Sequence, residues 1–357
     1  MEKTPTPALS QWFRERLPLE EISSYFSKKS VPRHKHSFWY YFGGLTLFFF
    51  AVQVVTGILL SLYYAPSPDR AYESVRTIVN EVSYGWLVRS IHAWSANLMI
   101  GMLFVHMFSV FLLRSYRRPR ELMWLSGVVL LFLTLGFGFT GYLLPWDTMA
   151  YFATLIGTEV PKTLPIIGTW GVSLIRGSEE IGHETLTRMY SLHVIILPIV
   201  TLMILTFHIA LNQVYGSSIP IGITETRPPL RFFPNFFYRD IISWIVGLIC
   251  LVALAVISPW GLGEKADPLA SAPAGIKPEW YFLPLYQTLK IVPATVLSIN
   301  GELVVNSLVV VSTVLWIAVP FMDRRALHGA KNKVMKLIGI LVIAYLVLMI
   351  VLAYLGW

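Results

Sequence analysis

Apolar residues recur along the chain in runs of about 20, the length an α-helix needs to cross the ~30 Å hydrocarbon core of a bilayer. Seven such runs stand out, at roughly 38–63, 91–113, 122–145, 190–212, 241–260, 303–322 and 335–356. Between them the sequence turns polar and gathers Pro, Gly and charge. The pattern predicts an all-α integral membrane protein with seven transmembrane helices. Residues 1–37 carry Pro, Ser and mixed charge but no apolar core ahead of a small-residue cleavage site, so they read as an arm, with the first span as insertion signal. Composition agrees. With 55% hydrophobic and 13% charged residues and a mean hydropathy of +0.62, the chain does not fit the water-soluble class.

Charge then orients the spans. Bases crowd the arm (Lys28, Lys29, Arg33, Lys35), the loop after span two (Arg114, Arg117, Arg118, Arg120), the loop after span four (Arg227, Arg231, Arg239) and the loop after span six (Arg324, Arg325, Lys331, Lys333). The other loops balance their bases with acids, among them Asp69, Glu73, Asp147, Glu159, Glu179, Glu180, Glu184, Glu264 and Asp267. By the rule that basic loops stay on the negative side, the N-terminus is expected there and the C-terminus on the positive side. The net charge of +8 is thus a topology signal and gives little support to nucleic-acid binding. One cysteine, Cys250 in span five, leaves no material for a disulfide, a cysteine-held cluster or a c-type haem box.

Spans two and four each hold two histidines, His92 with His106 and His193 with His208, at intervals of 14 and 15. At about 100° per residue, 14 steps fall ~40° short of four turns and 15 overshoot by ~60°, so each pair shares a helix face with ~21–22 Å between its members. Both helices run inward from the positive side, which pairs His92 with His193 near that surface and His106 with His208 deeper. A lone intramembrane His is usually a packing residue. Four at matched depths point to function, because an unpaired imidazole in hydrocarbon is costly. Two ligands at each of two levels suit bis-imidazole haem better than zinc, which wants four at one level. The pattern therefore describes two b-type haems forming an electron path across the membrane. The other histidines, His34, His36, His183 and His328, fall in loops or arms and read as solvated.

Glycines repeat the histidine interval: Gly43 and Gly57 in span one, Gly127 and Gly141 in span three, each pair 14 apart. A residue without Cβ admits the close approach of a flat macrocycle; small-residue helix packing is the other reading of any one of them. Arg89 and Arg188, three and five residues before His92 and His193, sit where guanidinium groups can pair with haem propionates or snorkel to the interface. In the loop after span five, Pro278-Glu279-Trp280-Tyr281 encloses a carboxylate among bulky apolar groups. Desolvation there raises its pKa and fits it to take up a proton; spacing alone marks only an aromatic interfacial anchor.

That motif, with Arg89-Ser90-Ile91-His92, Gly141-Tyr142-Leu143-Leu144-Pro145-Trp146-Asp147 and Thr187-Arg188-Met189-Tyr190-Ser191-Leu192-His193, resembles cytochrome b of the Rieske/cytochrome b quinol-oxidising complexes. The resemblance runs from about Trp12 to the C-terminus and is nearest the chloroplast and cyanobacterial type, given the interval of 15, the seven spans and Glu264-Lys265-Ala266-Asp267-Pro268 ahead of the motif. It implies an arm (1–37), a four-helix di-haem domain (38–218), a connecting loop (219–240) and a three-helix domain with the quinol loop (241–357). That type keeps these two domains on separate chains; here they are fused, with the seam at Ile219–Pro234.

The same resemblance implies quinol oxidation on the positive side, Glu279 accepting a proton and Tyr142, Pro278, Trp280 and Tyr281 shaping the pocket together with short helices between about Pro165 and Arg188. One electron passes to a Rieske iron-sulfur protein and on to a c-type cytochrome, the other through both haems to a quinone, so that protons are translocated. A homodimeric complex in an energy-transducing membrane, such as the bacterial cytoplasmic membrane, is implied too. Three departures narrow what carries over. Tyr41 stands where the chloroplast type has the cysteine of a covalent haem, so no such linkage is expected. Ser109 stands where the family often has Arg, shifting negative-side propionate pairing to Arg114, Arg117 or Arg118. Asn212, Gln213 and Val214 replace basic residues and leave the negative-side quinone site undefined. A di-haem anchor of a dehydrogenase or hydrogenase accounts for the histidines but not for the Pro278–Tyr281 motif or the last three spans; a transporter accounts for still less.

Overall fold

The apolar runs form seven helices long enough to cross a bilayer, Ser37–Ser61, Gly85–Leu112, Glu121–Tyr142, His183–Tyr215, Phe232–Ile257, Gly301–Met322 and Lys333–Leu355. This computed structural model describes residues 28–165, 167–221, 223, 227–323 and 333–356. Expectations placed on the arm before residue 28 and on Arg324, Arg325, His328 and Lys331 lie outside the described residues.

In chain order the helices are α1 (Tyr41–Ser61), α2 (Ala71–Asn80), α3 (Gly85–Leu112), α4 (Glu121–Tyr142), α5 (Thr148–Glu159), α6 (Ile167–Arg176), α7 (His183–Ser191), α8 (Leu197–Tyr215), α9 (Phe237–Ile257), α10 (Leu283–Ile291), α11 (Gly301–Met322) and α12 (Lys333–Leu355). Helix α1 lies along α3 and α8 along α4, with α3 meeting α4 to join the pairs into a four-helix bundle. Helix α9 packs on α1 and α3, α11 on α4, and α12 on α10 and α3.

Two helices begin earlier than their apolar runs, for the same physical reason. The first turns of α3 contain Arg89 and Ser90, which are polar yet buried because protein partners satisfy them. Helix α7 is polar outside but buries Thr185, Leu186 and Met189. Hydropathy marks where a helix meets hydrocarbon, and these turns meet protein.

Helices α7 and α8 are one continuous rod interrupted by a wide π turn over Leu192–Ile196. Pro198, in the first turn of α8, has no N–H to give the carbonyl four residues back. The Leu197 N–H reaches Leu192 O instead, a five-residue step. This turn takes up one extra residue, so the interval of 15 between His193 and His208 places its side chains as 14 does in a regular helix. The ~60° overshoot expected from regular geometry is thereby corrected.

The two ends of the bundle are finished differently. At one end Leu143, Trp146, Tyr151, Phe152, Leu186 and Met189 form a buried cap with Ala266 and Ile276. Asp147 starts α5 by accepting from the Ala150 N–H at 2.9 Å. At the other end strand β1 (Ser30–Arg33) pairs antiparallel with β2 (Arg227–Arg231), clipping the arm to the connecting loop. Arg117 donates to Ile219 O at 2.5 Å and Arg120 to Tyr215 O at 2.9 Å. Arg114 is buried against Asp323 at 2.6 Å, which also accepts from the Tyr116 hydroxyl at 2.9 Å. The basic loops thus share one end. A small hairpin, β3 (Thr295–Val296) and β4 (Ile299–Asn300), precedes α11.

Candidate functional site

Four histidines converge in two layers. In the first, the His92 and His193 rings have centroids 6.4 Å apart at an interplanar angle of 69°. Two imidazoles bound to one iron from opposite sides hold their centroids at about that distance, with each metal–nitrogen bond near ~2 Å.

Each histidine has one of the four glycines against its ring. A Cβ on Gly57 would stand 3.4 Å from His92 Cε1, one on Gly141 2.5 Å from His193 Cε1, one on Gly43 3.1 Å from His106 Cε1, and one on Gly127 3.3 Å from His208 Cε1. Distances near 3 Å or below require the ring to move, so the glycines keep the imidazoles close to the helices that flank them. The donor chemistry fits haem on a second count. The first layer offers two imidazoles facing one another, the donor set a haem iron takes from protein when its macrocycle supplies the other donors.

Hydroxyl groups unnoticed in the sequence reading hold three of the imidazoles. Thr56 Oγ1 lies 2.8 Å from His92 Nδ1, Thr140 Oγ1 3.2 Å from His193 Nδ1 and Ser126 Oγ 2.9 Å from His208 Nδ1. Their signal was present: each immediately precedes one of the paired glycines. The Nδ1 atom of His106 is buried with no hydrogen-bond partner among the described residues.

Arg89 and Arg188 both donate to backbone. Arg89 ties α3 to the loop after α9, through Trp260 O at 2.6 Å and Gly261 O at 3.0 Å. Arg188 reaches Leu174 O at 2.5 Å and Ser173 O at 3.3 Å. Tyr41 stacks on Phe236 with centroids 5.0 Å apart.

The Pro278–Tyr281 segment folds over the first layer's side of the bundle. Trp280 Nε1 donates to Asn97 on α3 at 2.8 Å, and the Tyr281 ring lies against Gly138 on α4, where a Cβ would meet its hydroxyl at 2.5 Å. Pro278 is half-buried beside them. Burial pushes the Glu279 carboxyl above the usual carboxylate range. Burial first, then the charges of Glu279 and Tyr142, raises the Tyr281 phenol. From Trp280 and Tyr281 an apolar cleft of about 890 Å³ runs past Phe104 and Phe108 to Lys333 and Lys336 at the basic end.

The arrangement is a polytopic helical membrane bundle with buried histidines at two levels and a loop packed on it that carries a desolvated carboxylate. The chain belongs to the cytochrome b/b6 family: residues 26–216 match the family model described as "Cytochrome b/b6/petB" and residues 265–357 the one described as "Cytochrome b(C-terminal)/b6/petD". It is 51% identical over 345 residues to a "Cytochrome bc complex cytochrome b subunit" of Chlorobaculum thiosulfatiphilum, covering 96% of this chain and 79% of that protein. It is also similar to a solved chain titled "Hyperthermophilic respiratory Complex III", with a TM-score of 0.78 and 27% identity over 97% of this chain and 100% of that one.

Proposed function

We propose that this chain is the electron-carrying, quinol-oxidising cytochrome b subunit of a bc-type complex, with one b-type haem between His92 and His193 and a second between His106 and His208. The observation that carries the reading is the matched placement of four glycines against four histidines in two layers, with the first layer's rings spaced for a shared iron. The names of both relatives support membership of such a complex. When bound, the haems accept and pass single electrons. The protein's part is to hold them at two depths, exclude water and manage the protons.

Proton management falls to Glu279. Its carboxylate, made basic by burial, takes a proton from quinol bound among Tyr142, Pro278, Trp280 and Tyr281, then releases it toward the acid-rich end. The aromatic walls exclude water, and Gly138 admits the Tyr281 ring close to α4. One electron leaves to a Rieske iron-sulfur protein and then a c-type acceptor; the other crosses to a quinone near the basic end. The apolar cleft fits an isoprenoid tail. Arg89 and Arg188 would pair with propionates in place of the backbone carbonyls they hold in this structure. The complex is a homodimer of this subunit with its partners in a bacterial cytoplasmic membrane, the N-terminus on the negative side.

The test is redox difference spectroscopy and quinol to cytochrome c turnover on the purified complex and its Glu279→Gln form. Two b haems per chain with strongly reduced turnover in the variant support the reading. Unchanged turnover removes Glu279 from the mechanism, and a parent without haem overturns it.

A further inference from the structure

Three of the four histidines share a local device. Thr56 donates its hydroxyl proton to Val52 O at 2.7 Å, Thr140 to Gly136 O at 2.8 Å, and Ser126 to Met123 O at 3.1 Å. A hydroxyl has one proton and two lone pairs. With the proton committed to the helix's own carbonyl, the oxygen facing each imidazole is an acceptor, and the nitrogen it meets must carry the hydrogen. His92, His193 and His208 are thereby fixed with Nδ1 protonated and Nε2 bare, the tautomer that binds iron.

The device is periodic. Thr56-Gly57, Ser126-Gly127 and Thr140-Gly141 place hydroxyl and glycine side by side, the glycine admitting the ring and the hydroxyl holding its far nitrogen. The fourth member of the series is Phe42-Gly43. Phe42 has no acceptor to offer and stacks on Trp39 instead, with centroids 5.4 Å apart. Correspondingly, the Nδ1 of His106 is the one of the four without a hydrogen-bond partner among the described residues.

We infer that Thr56, Thr140 and Ser126 are positioning residues that set the tautomer and donor strength of the haem ligands, and that Phe42, which offers no acceptor, leaves His106 without that support. The inference rests on the haem reading above. An Nδ1–H given to an acceptor pushes electron density onto Nε2, and a stronger donor favours ferric over ferrous iron. The His92/His193 layer has this support on both ligands; the His106/His208 layer has it on one.

Thr56 offers the cleanest test, because the carbonyls of Phe137 and Met123 also accept from His193 and His208. Potentiometric titration of the two haem bands, with electron paramagnetic resonance of the ferric forms, is made on the purified complex carrying Thr56→Val, Thr56→Ser or Phe42→Thr. Thr56→Val raises the potential and shifts the ferric signal of one haem alone, and Thr56→Ser restores both. Phe42→Thr lowers the potential of the other haem. Two bound haems with parental potentials and signals in Thr56→Val overturn the inference while leaving the haem reading intact. Should Thr56→Val lose its haem, an unmoved potential in Phe42→Thr overturns it. A parent without haem fails the underlying reading instead.

Discussion

The two imidazole layers are built from the same parts and finished to different standards. The His92/His193 layer has a hydroxyl on each ring, the tightest glycine, Gly141, a helix reshaped by the π turn at Leu192–Ile196, and the Glu279 loop against its side. The His106/His208 layer sits in regular helix, and the Nδ1 of His106 has no hydrogen-bond partner among the described residues. Three intervals of 14 and one of 15 in sequence thus do not make two equal sites. The layer on the side of the Glu279 loop is the one whose geometry is most closely determined.

The largest effect that can break this comparison comes from deleting a ligand. His193→Leu should cut haem from two per chain to one and abolish quinol oxidation, while His208→Leu should leave the first layer filled; haem content and difference spectra of both variants distinguish layers that stand alone from layers that collapse together. Next is Glu279→Gln, which touches only the pocket beside the first layer and should slow turnover about 100-fold at unchanged haem content, the range typical of a lost general base. Because burial raises this carboxyl, the base form fills as pH rises through a midpoint above the ordinary value of about 4.3. Turnover of the parent should therefore climb with pH across that window, and the Gln form should lack this limb.

Glycine substitution sharpens the contrast further. Alanine at Gly141 meets His193 at 2.5 Å and should cost about 1–3 kcal/mol or displace the first haem. At Gly57 the contact of 3.4 Å is ordinary, so Gly57→Ala should retain both haems. Thermal melts followed at the haem bands rank the two. The smallest effect should come from deleting Ile196, which removes the extra residue of the π turn and returns the interval to 14. Both haems are expected to persist; loss of the first would mean that the π turn has a role beyond taking up one residue.

Much of this was legible in advance because the physics involved is coarse. A bilayer demands long apolar runs, and the seven spans follow. Intramembrane histidines and glycines at a common interval are rare enough to mark a shared surface, and the structure sets each glycine against one histidine. What stayed hidden depends on partners distant in sequence. Arg89 and Ser90 extend α3 beyond its apolar run because the Trp260 and Gly261 carbonyls accept from Arg89 and the Trp260 N–H donates to Ser90. Arg114 looked free to meet a propionate, yet it is buried against Asp323. The clip between β1 and β2 joins residues about 200 positions apart by backbone bonds that leave no compositional trace. The hydroxyls of Thr56, Ser126 and Thr140 were visible, but Ser and Thr are common in membrane helices, and only the ring nitrogen opposite gives them meaning.

The most direct measurement of the central claim is the haem stoichiometry of the purified chain by its pyridine haemochrome spectrum, made on the parent and on His193→Leu. Two non-covalent b haems in the parent and one in the variant are predicted. A parent with none, or a variant that keeps two, would contradict the assignment of these histidines.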